Sequence, residues 1–140
     1  MTTRADTITQ LSKMSVIYSD VTNNFTQHPV SGDLVVLKNQ DSIIQAIKNL
    51  LLTNPGERLF DPFFGSGITG CLFEQYTPFL NEDIIKKINL AVKMFEPRIN
   101  NLLVSITPTN DGNGFVISVV ISIVNIPQSY SFSFPISRVR

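Results

Sequence analysis

The chain has 140 residues with 11 basic and 11 acidic side chains, so no net field draws it to nucleic acid or an anionic membrane. That length matches a single domain, long enough to bury roughly two-thirds of its unfolded surface without covalent staples. One cysteine, Cys71, excludes an intrachain disulfide and fits a reducing compartment, and one histidine, His28, leaves too few ligands for zinc.

Residues 1–15 are rich in Thr and Ser, follow no period and predict a flexible N-terminal arm; residues 16–140 are expected to form one domain. The polar start lacks the apolar stretch of a signal peptide, and no segment reaches the ~20 apolar residues of a membrane span. Val16 to Val21 reads as a short extended segment, and Leu34-Val35-Val36-Leu37 as a short buried strand. Between Asp41 and Leu52, the spacing of Ile43, Ile44, Ile47, Leu50 and Leu51 predicts a helix with one apolar stripe, capped by Asn39 or Asp41. Thr53-Asn54-Pro55-Gly56 ends it, because proline cannot supply a helical amide.

Leu59 to Gly67 is an irregular aromatic segment, after which Ser66 is expected to cap a short helix that turns Ile68, Cys71 and Leu72 inward. A second long helix is expected from an Asn81 cap, with Glu82 and Asp83 near the positive end of its dipole. It would bury Ile84, Ile88, Ala91, Val92 and Phe95, and Pro97 fixes its end. The remainder alternates as strands: Leu102 to Thr107, a hairpin turn at Asn110 to Gly114, Phe115 to Val124, a turn, then Tyr130, Phe132, Phe134 and Ile136 between serines. The fold class is therefore α+β, with two main helices and a short one packed on a small, mainly antiparallel sheet that ends in a three-stranded meander.

A search for chemistry finds little. Cys71 suits a small buried hydrophobe better than a nucleophile, and His28-Pro29 suits a surface turn. Gly65-Ser66-Gly67 lacks the Lys-Ser/Thr ending of a phosphate loop and reads as a loop between aromatic packing and a helix. Glu57, Asp61, Glu74 and Glu96 contain enough carboxylates for a glycosidase pair, but no pattern selects two of them, and tryptophan is absent. No catalytic residue, cofactor or metal is assigned. Phe95-Glu96-Pro97-Arg98 is the one unusual polar constellation. A glutamate in the last helical turn meets the negative end of the dipole, and proline holds φ between it and Arg98, so the two charges are expected to form one preorganised fork.

These motifs in this order resemble the baseplate wedge proteins that initiate the sheath of contractile phage tails, together with their type VI secretion relatives. The matching stretches are the 41–52 helix, Asn54-Pro55-Gly56-Glu57-Arg58, Phe60-Asp61-Pro62-Phe63-Phe64-Gly65, Leu72-Phe73-Glu74, the 81–95 helix and Phe95-Glu96-Pro97-Arg98-Ile99, within about residues 34–137. The resemblance implies a non-enzymatic subunit made in the host cytoplasm and located in the virion baseplate, arranged there in a six-fold ring. It also implies that Glu96, Pro97 and Arg98 dock on wedge proteins. The last strand, through Tyr130, Phe132, Phe134 and Ile136, would pair with the tail sheath, and the tail tube is a further candidate partner. Its unpaired backbone groups suit strand addition, and no nucleic acid or membrane partner is expected. The alternatives are the same role in a secretion or injection system, and a peptidoglycan-degrading lysozyme, a name that members of this family often carry.

Overall fold

The computed structural model describes residues 18–138 other than 111 and 125. The expected arm over 1–15, and the Val16-Ile17 part of the first extended segment, lie outside the described residues. The element order is β1 (Ser19–Val21), β2 (Val36–Lys38), α1 (Gln40–Leu52), a 3-10 helix (Ile68–Phe73), α2 (Pro78–Phe95), β3 (Ile99–Pro108), β4 (Gly114–Ile123) and β5 (Ser129–Ser137). The architecture is α+β: a two-stranded antiparallel ribbon β1-β2, and an antiparallel meander in the order β3-β4-β5.

The core forms where three apolar surfaces meet. Ile43, Ile47, Leu50 and Leu51 come from α1, Ile84, Ile88, Ala91 and Val92 from α2, and Ile68, Cys71 and Leu72 from the 3-10 helix. From the sheet come Ile106, then Phe115, Ile117, Val119, Ile121 and Ile123 of β4, then Phe134 and Ile136 of β5. Central β4 buries alternate residues completely, because it alone has a strand on each side and the helices over one face. Edge strands β3 and β5 bury fewer positions. The opposite face carries rows of small side chains, such as Ser105, Ser118 and Ser133 across the three strands.

Four local expectations are corrected. Leu34–Leu37 is not a buried strand: β2 starts at Val36, Leu34 makes only an isolated bridge to Gln27, and Leu34 and Val36 are both exposed. The ribbon lies at the molecular surface, so its apolar residues reflect β propensity more than burial. Helix α2 begins a turn early. Thr77 is its cap and accepts from the Leu80 amide, Pro78 occupies the first turn where a missing N–H costs nothing, and Asn81, Glu82 and Asp83 fall beyond that turn. Asn39 does precede α1, but its side chain does not cap; its Oδ1 accepts the Tyr18 amide, and the Ser42 hydroxyl donates to the Asn39 carbonyl instead. Ser66 accepts the Ile68 amide at 3.4 Å, but its stronger bond runs backward, donating to the Leu51 carbonyl at 2.7 Å. It therefore fastens the loop to the end of α1.

Candidate functional site: the junction of α2 and β3

Helix α2 runs into β3 through three residues. The Glu96 amide closes the last helical bond to the Val92 carbonyl, the Glu96 backbone leaves the helical region (φ −126°, ψ 71°), and β3 starts at Ile99. The turn is locked on both sides, because the Ile99 amide donates to the Glu96 carbonyl and the Val124 amide, just past β4, donates to the Arg98 carbonyl. Side chains at 96 and 98 therefore have little freedom in direction.

The expected fork is formed. Arg98 Nη2 and Nε donate to one oxygen, Glu96 Oε2, at 2.6 and 2.9 Å. Glu96 is 9% exposed, so this is a largely desolvated carboxylate near a helix C-terminus, and the guanidinium offsets both the burial and the dipole. On its other side Arg98 lies over the Tyr18 ring, 5.3 Å from guanidinium carbon to centroid. Tyr18 is held in turn by Asn39, whose amide donates to the Tyr18 carbonyl at 2.7 Å. This support was not legible in the sequence, because Tyr18 and Asn39 lie 80 and 59 positions before Arg98 and carry no motif.

Glu96 lines two surface clefts. One lies against the start of β3, beside Asn89, Lys93 and Asn101. The other, of about 490 Å³, is walled by α1 and by the loop after it, through Thr53, Glu57, Arg58 and Phe64. That loop is built, not slack. Its Gly56 amide donates to the Pro62 carbonyl at 2.8 Å, and Phe64 donates to Asp61 at 3.1 Å. Arg58 lies over Phe64, which meets Phe95 of α2 edge-on at 5.1 Å. The expected aromatic packing holds for Phe64 alone, since Leu59, Phe60 and Phe63 are 92, 99 and 78% exposed.

Glu57 accepts from the backbone amide of Asn54 at 2.9 Å and from its side-chain amide at 2.8 Å. These bonds, the backbone one first, hold its carboxyl below the ordinary 4.5. A depressed carboxylate contributes stability above its ordinary pKa, and that contribution is lost as pH falls through the lower folded value. NMR titration of the Glu57 carboxyl is expected to give a midpoint below 4.5, moving part of the way back in Asn54→Ala, which keeps the backbone donor. A midpoint at or above 4.5 would contradict the turn geometry. The direction is also the opposite of what a glycosidase acid requires.

Among the described residues, no three His, Cys, Asp or Glu side chains cluster as metal ligands. No described helix is long and apolar enough to cross a membrane. His28 sits exposed in a turn, its Nδ1 accepting the Val30 and Ser31 amides, while Cys71 is buried with Lys87 Nζ 3.2 Å from its sulfur.

The residues expected to pair with a partner strand lie on β5, an edge of the meander among the described residues. Parity decides which backbone groups face outward. Pro135 has no N–H, the Arg138 amide donates back to Asn113, and the Val116 carbonyl opposite Pro135 accepts from Thr107 on β3. Residues 130, 132, 134 and 136 therefore bond β4, with Phe134 and Ile136 in the core, and the outward row comprises Ser129, Ser131, Ser133, Pro135 and Ser137.

Comparison with known proteins shows the family and the fold. Residues 38–126 match the family described as baseplate wedge protein gp25. Over 89 residues the chain is 35% identical to baseplate wedge protein gp25 of Enterobacteria phage T4, covering 61% of this chain and 67% of that protein. A crystal structure described as a tail lysozyme from Geobacter sulfurreducens superposes with a TM-score of 0.68 at 24% identity, over 76% of this chain and 97% of that one. A chain of the anti-feeding prophage baseplate, solved with 6-fold symmetry, gives 0.57 at 18% identity, over 84% of this chain and 83% of that one. A chain of a type VI secretion system baseplate complex gives 0.52 at 12% identity, over 69% and 93%. At these identities the structural matches establish a shared fold. The segment holding both long helices, the Glu96–Arg98 junction and most of the meander is the part that matches, and this chain belongs to the gp25 baseplate wedge family.

Proposed function

We propose that this chain is a non-enzymatic subunit of a contractile-tail baseplate in the virion, which docks on wedge proteins through Glu96, Pro97 and Arg98. It offers the β5 edge to an extended strand of the tail sheath and so starts sheath polymerisation. The single observation that carries this reading is the ion pair at the α2–β3 junction. A buried carboxylate is retained where an apolar residue would be cheaper, and it is fixed by proline, by two backbone bonds and by Tyr18. Such rigidity suits a docking element, because no ordering cost remains to be met on binding. The fold shared with the anti-feeding prophage and type VI secretion baseplate chains supports the same role in an injection system as the alternative.

The docking test must separate binding from folding. Arg98→Ala strands the Glu96 charge and is expected to cost roughly 1–3 kcal/mol of stability as well. The double variant Glu96→Gln/Arg98→Met keeps volume, removes both charges and is expected to fold as well as the parent. Both are expected to join reconstituted wedge complexes at least about tenfold more weakly. Normal incorporation of the double variant would remove the docking role. Clearing of cell walls by the purified protein would replace this reading with a hydrolase.

For the sheath contact, deleting β5 is a poor test, because it takes Phe134 and Ile136 out of the core. Ser133→Pro removes one outward donor and no bond to β4. It is expected to leave the protein folded and baseplates assembled, while electron microscopy shows fewer or shorter sheaths. Sheaths of normal number and length would show that this edge is not the template.

A further inference from the structure

The second cleft is bordered by an apolar loop that the docking motif leaves unused. Leu59, Phe60 and Phe63 stand almost wholly in water between Arg58 and Phe64, both of which line that cleft. Exposed apolar residues scattered singly need no explanation, but three on a loop hydrogen-bonded across its own base form a preorganised surface. Inside the cleft the lining carboxylates are Asp20, Glu57 and Glu96. Against them stand Arg58 in the lining, committed to the Phe64 ring, and Arg98 just outside it, committed to Glu96 Oε2, so negative charge predominates by one among the described residues. Both Arg98 nitrogens go to Oε2, so Glu96 Oε1 is the carboxylate oxygen left to solvent at the cleft. A largely buried carboxylate, 11% of its side chain exposed, thus turns one solvent-accessible acceptor oxygen to the cleft.

We propose that this cleft receives a basic side chain, arginine or lysine, from a protein segment whose flanking apolar residues pack on Leu59, Phe60 and Phe63. The charged head donates to Glu96 Oε1 in place of solvent as a charge-assisted bond, and its neighbours cover the loop. This rests on the docking reading above and specifies the chemistry of the partner.

The probe is a pentapeptide amide with arginine between two leucines, compared with a twin carrying citrulline, its uncharged isostere. With the full-length protein labelled by nitrogen-15, the arginine peptide is expected to shift the amides of Thr53, Glu57 and Glu96. It should bind at least about tenfold more tightly than the citrulline twin. Phe60→Ser/Phe63→Ser alters only exposed side chains, so it should fold normally and weaken both peptides. Equal affinities, shifts elsewhere, or no shift at millimolar arginine peptide would overturn the proposal.

Wedge incorporation separates this proposal from the reading beneath it. If Phe60→Ser/Phe63→Ser docks normally while Glu96→Gln/Arg98→Met fails, the partner chemistry inferred here is wrong and the docking motif stands. If both variants dock normally, both readings fall. Loss in both supports the two together.

Discussion

Ile88→Ala is expected to lower the unfolding free energy by about 3–4 kcal/mol and the melting temperature by roughly 10 °C. Ile88 is wholly buried on the inner face of α2, within the core that joins α1, α2 and the meander. Truncation removes three carbons' worth of transfer free energy and leaves a void. The close-packed residues around it relax only partly, because each is itself held on a helix or strand. Leu90→Ala, two positions away on the same helix, is the control: Leu90 is 62% exposed and its loss is expected to stay within about 0.5 kcal/mol. Chemical denaturation of both variants checks the pair. A loss below 1 kcal/mol at Ile88 would mean that α2 does not pack through this face.

Gly65→Ala is expected to cost about 3 kcal/mol and to displace the loop over 54–65, by two causes that add. Gly65 has φ of +126°, a region that alanine enters only with strain. A Cβ there would also lie 2.5 Å from the Thr53 carbonyl oxygen and 2.9 Å from the Asn54 carbonyl carbon. Both obstacles are backbone and cannot rotate away. The next residue, Ser66, bonds Thr53 through its amide and Leu51 through its hydroxyl, so relief of the overlap breaks the attachment of the loop to α1. Gly70→Ala meets nothing within 4 Å and should be nearly neutral. Comparable stability of the two alanine variants would contradict the close approach. Because this loop presents Arg58, Phe60 and Phe63, Gly65→Ala should also bind the arginine peptide more weakly than its modest unfolded population explains.

Much of the fold follows from local pattern. The 3.6-residue spacing of Ile43, Ile47, Leu50 and Leu51, and of Ile84, Ile88 and Val92, placed both helices with the correct inner faces. Strict alternation from Phe115 to Ile123 placed the central strand, and the Asn-Asp-Gly turn fixed the hairpin before it. Periodicity succeeds there because burial of one face is enforced at every repeat. Capping was read less well. The Asn81 cap expected from the sequence falls inside α2, although a threonine followed by a proline, here Thr77-Pro78, is itself a strong helix start.

What the sequence by itself determined is therefore the two helices, the meander, the rigid Glu96-Pro97-Arg98 stop and the class of the protein, all set by contacts within a few positions. Only the tertiary structure decided that Glu96 is largely buried with Arg98 bonded to one of its oxygens, and that Tyr18 backs Arg98. It also decided that Leu34 and Val36 lie at the surface, and that Phe64 turns inward while Phe60 and Phe63 do not. Those outcomes depend on which distant segments the chain brings alongside. Burial is a property of the whole packed assembly, and an apolar residue has the same letter whether it fills a core or waits for a partner.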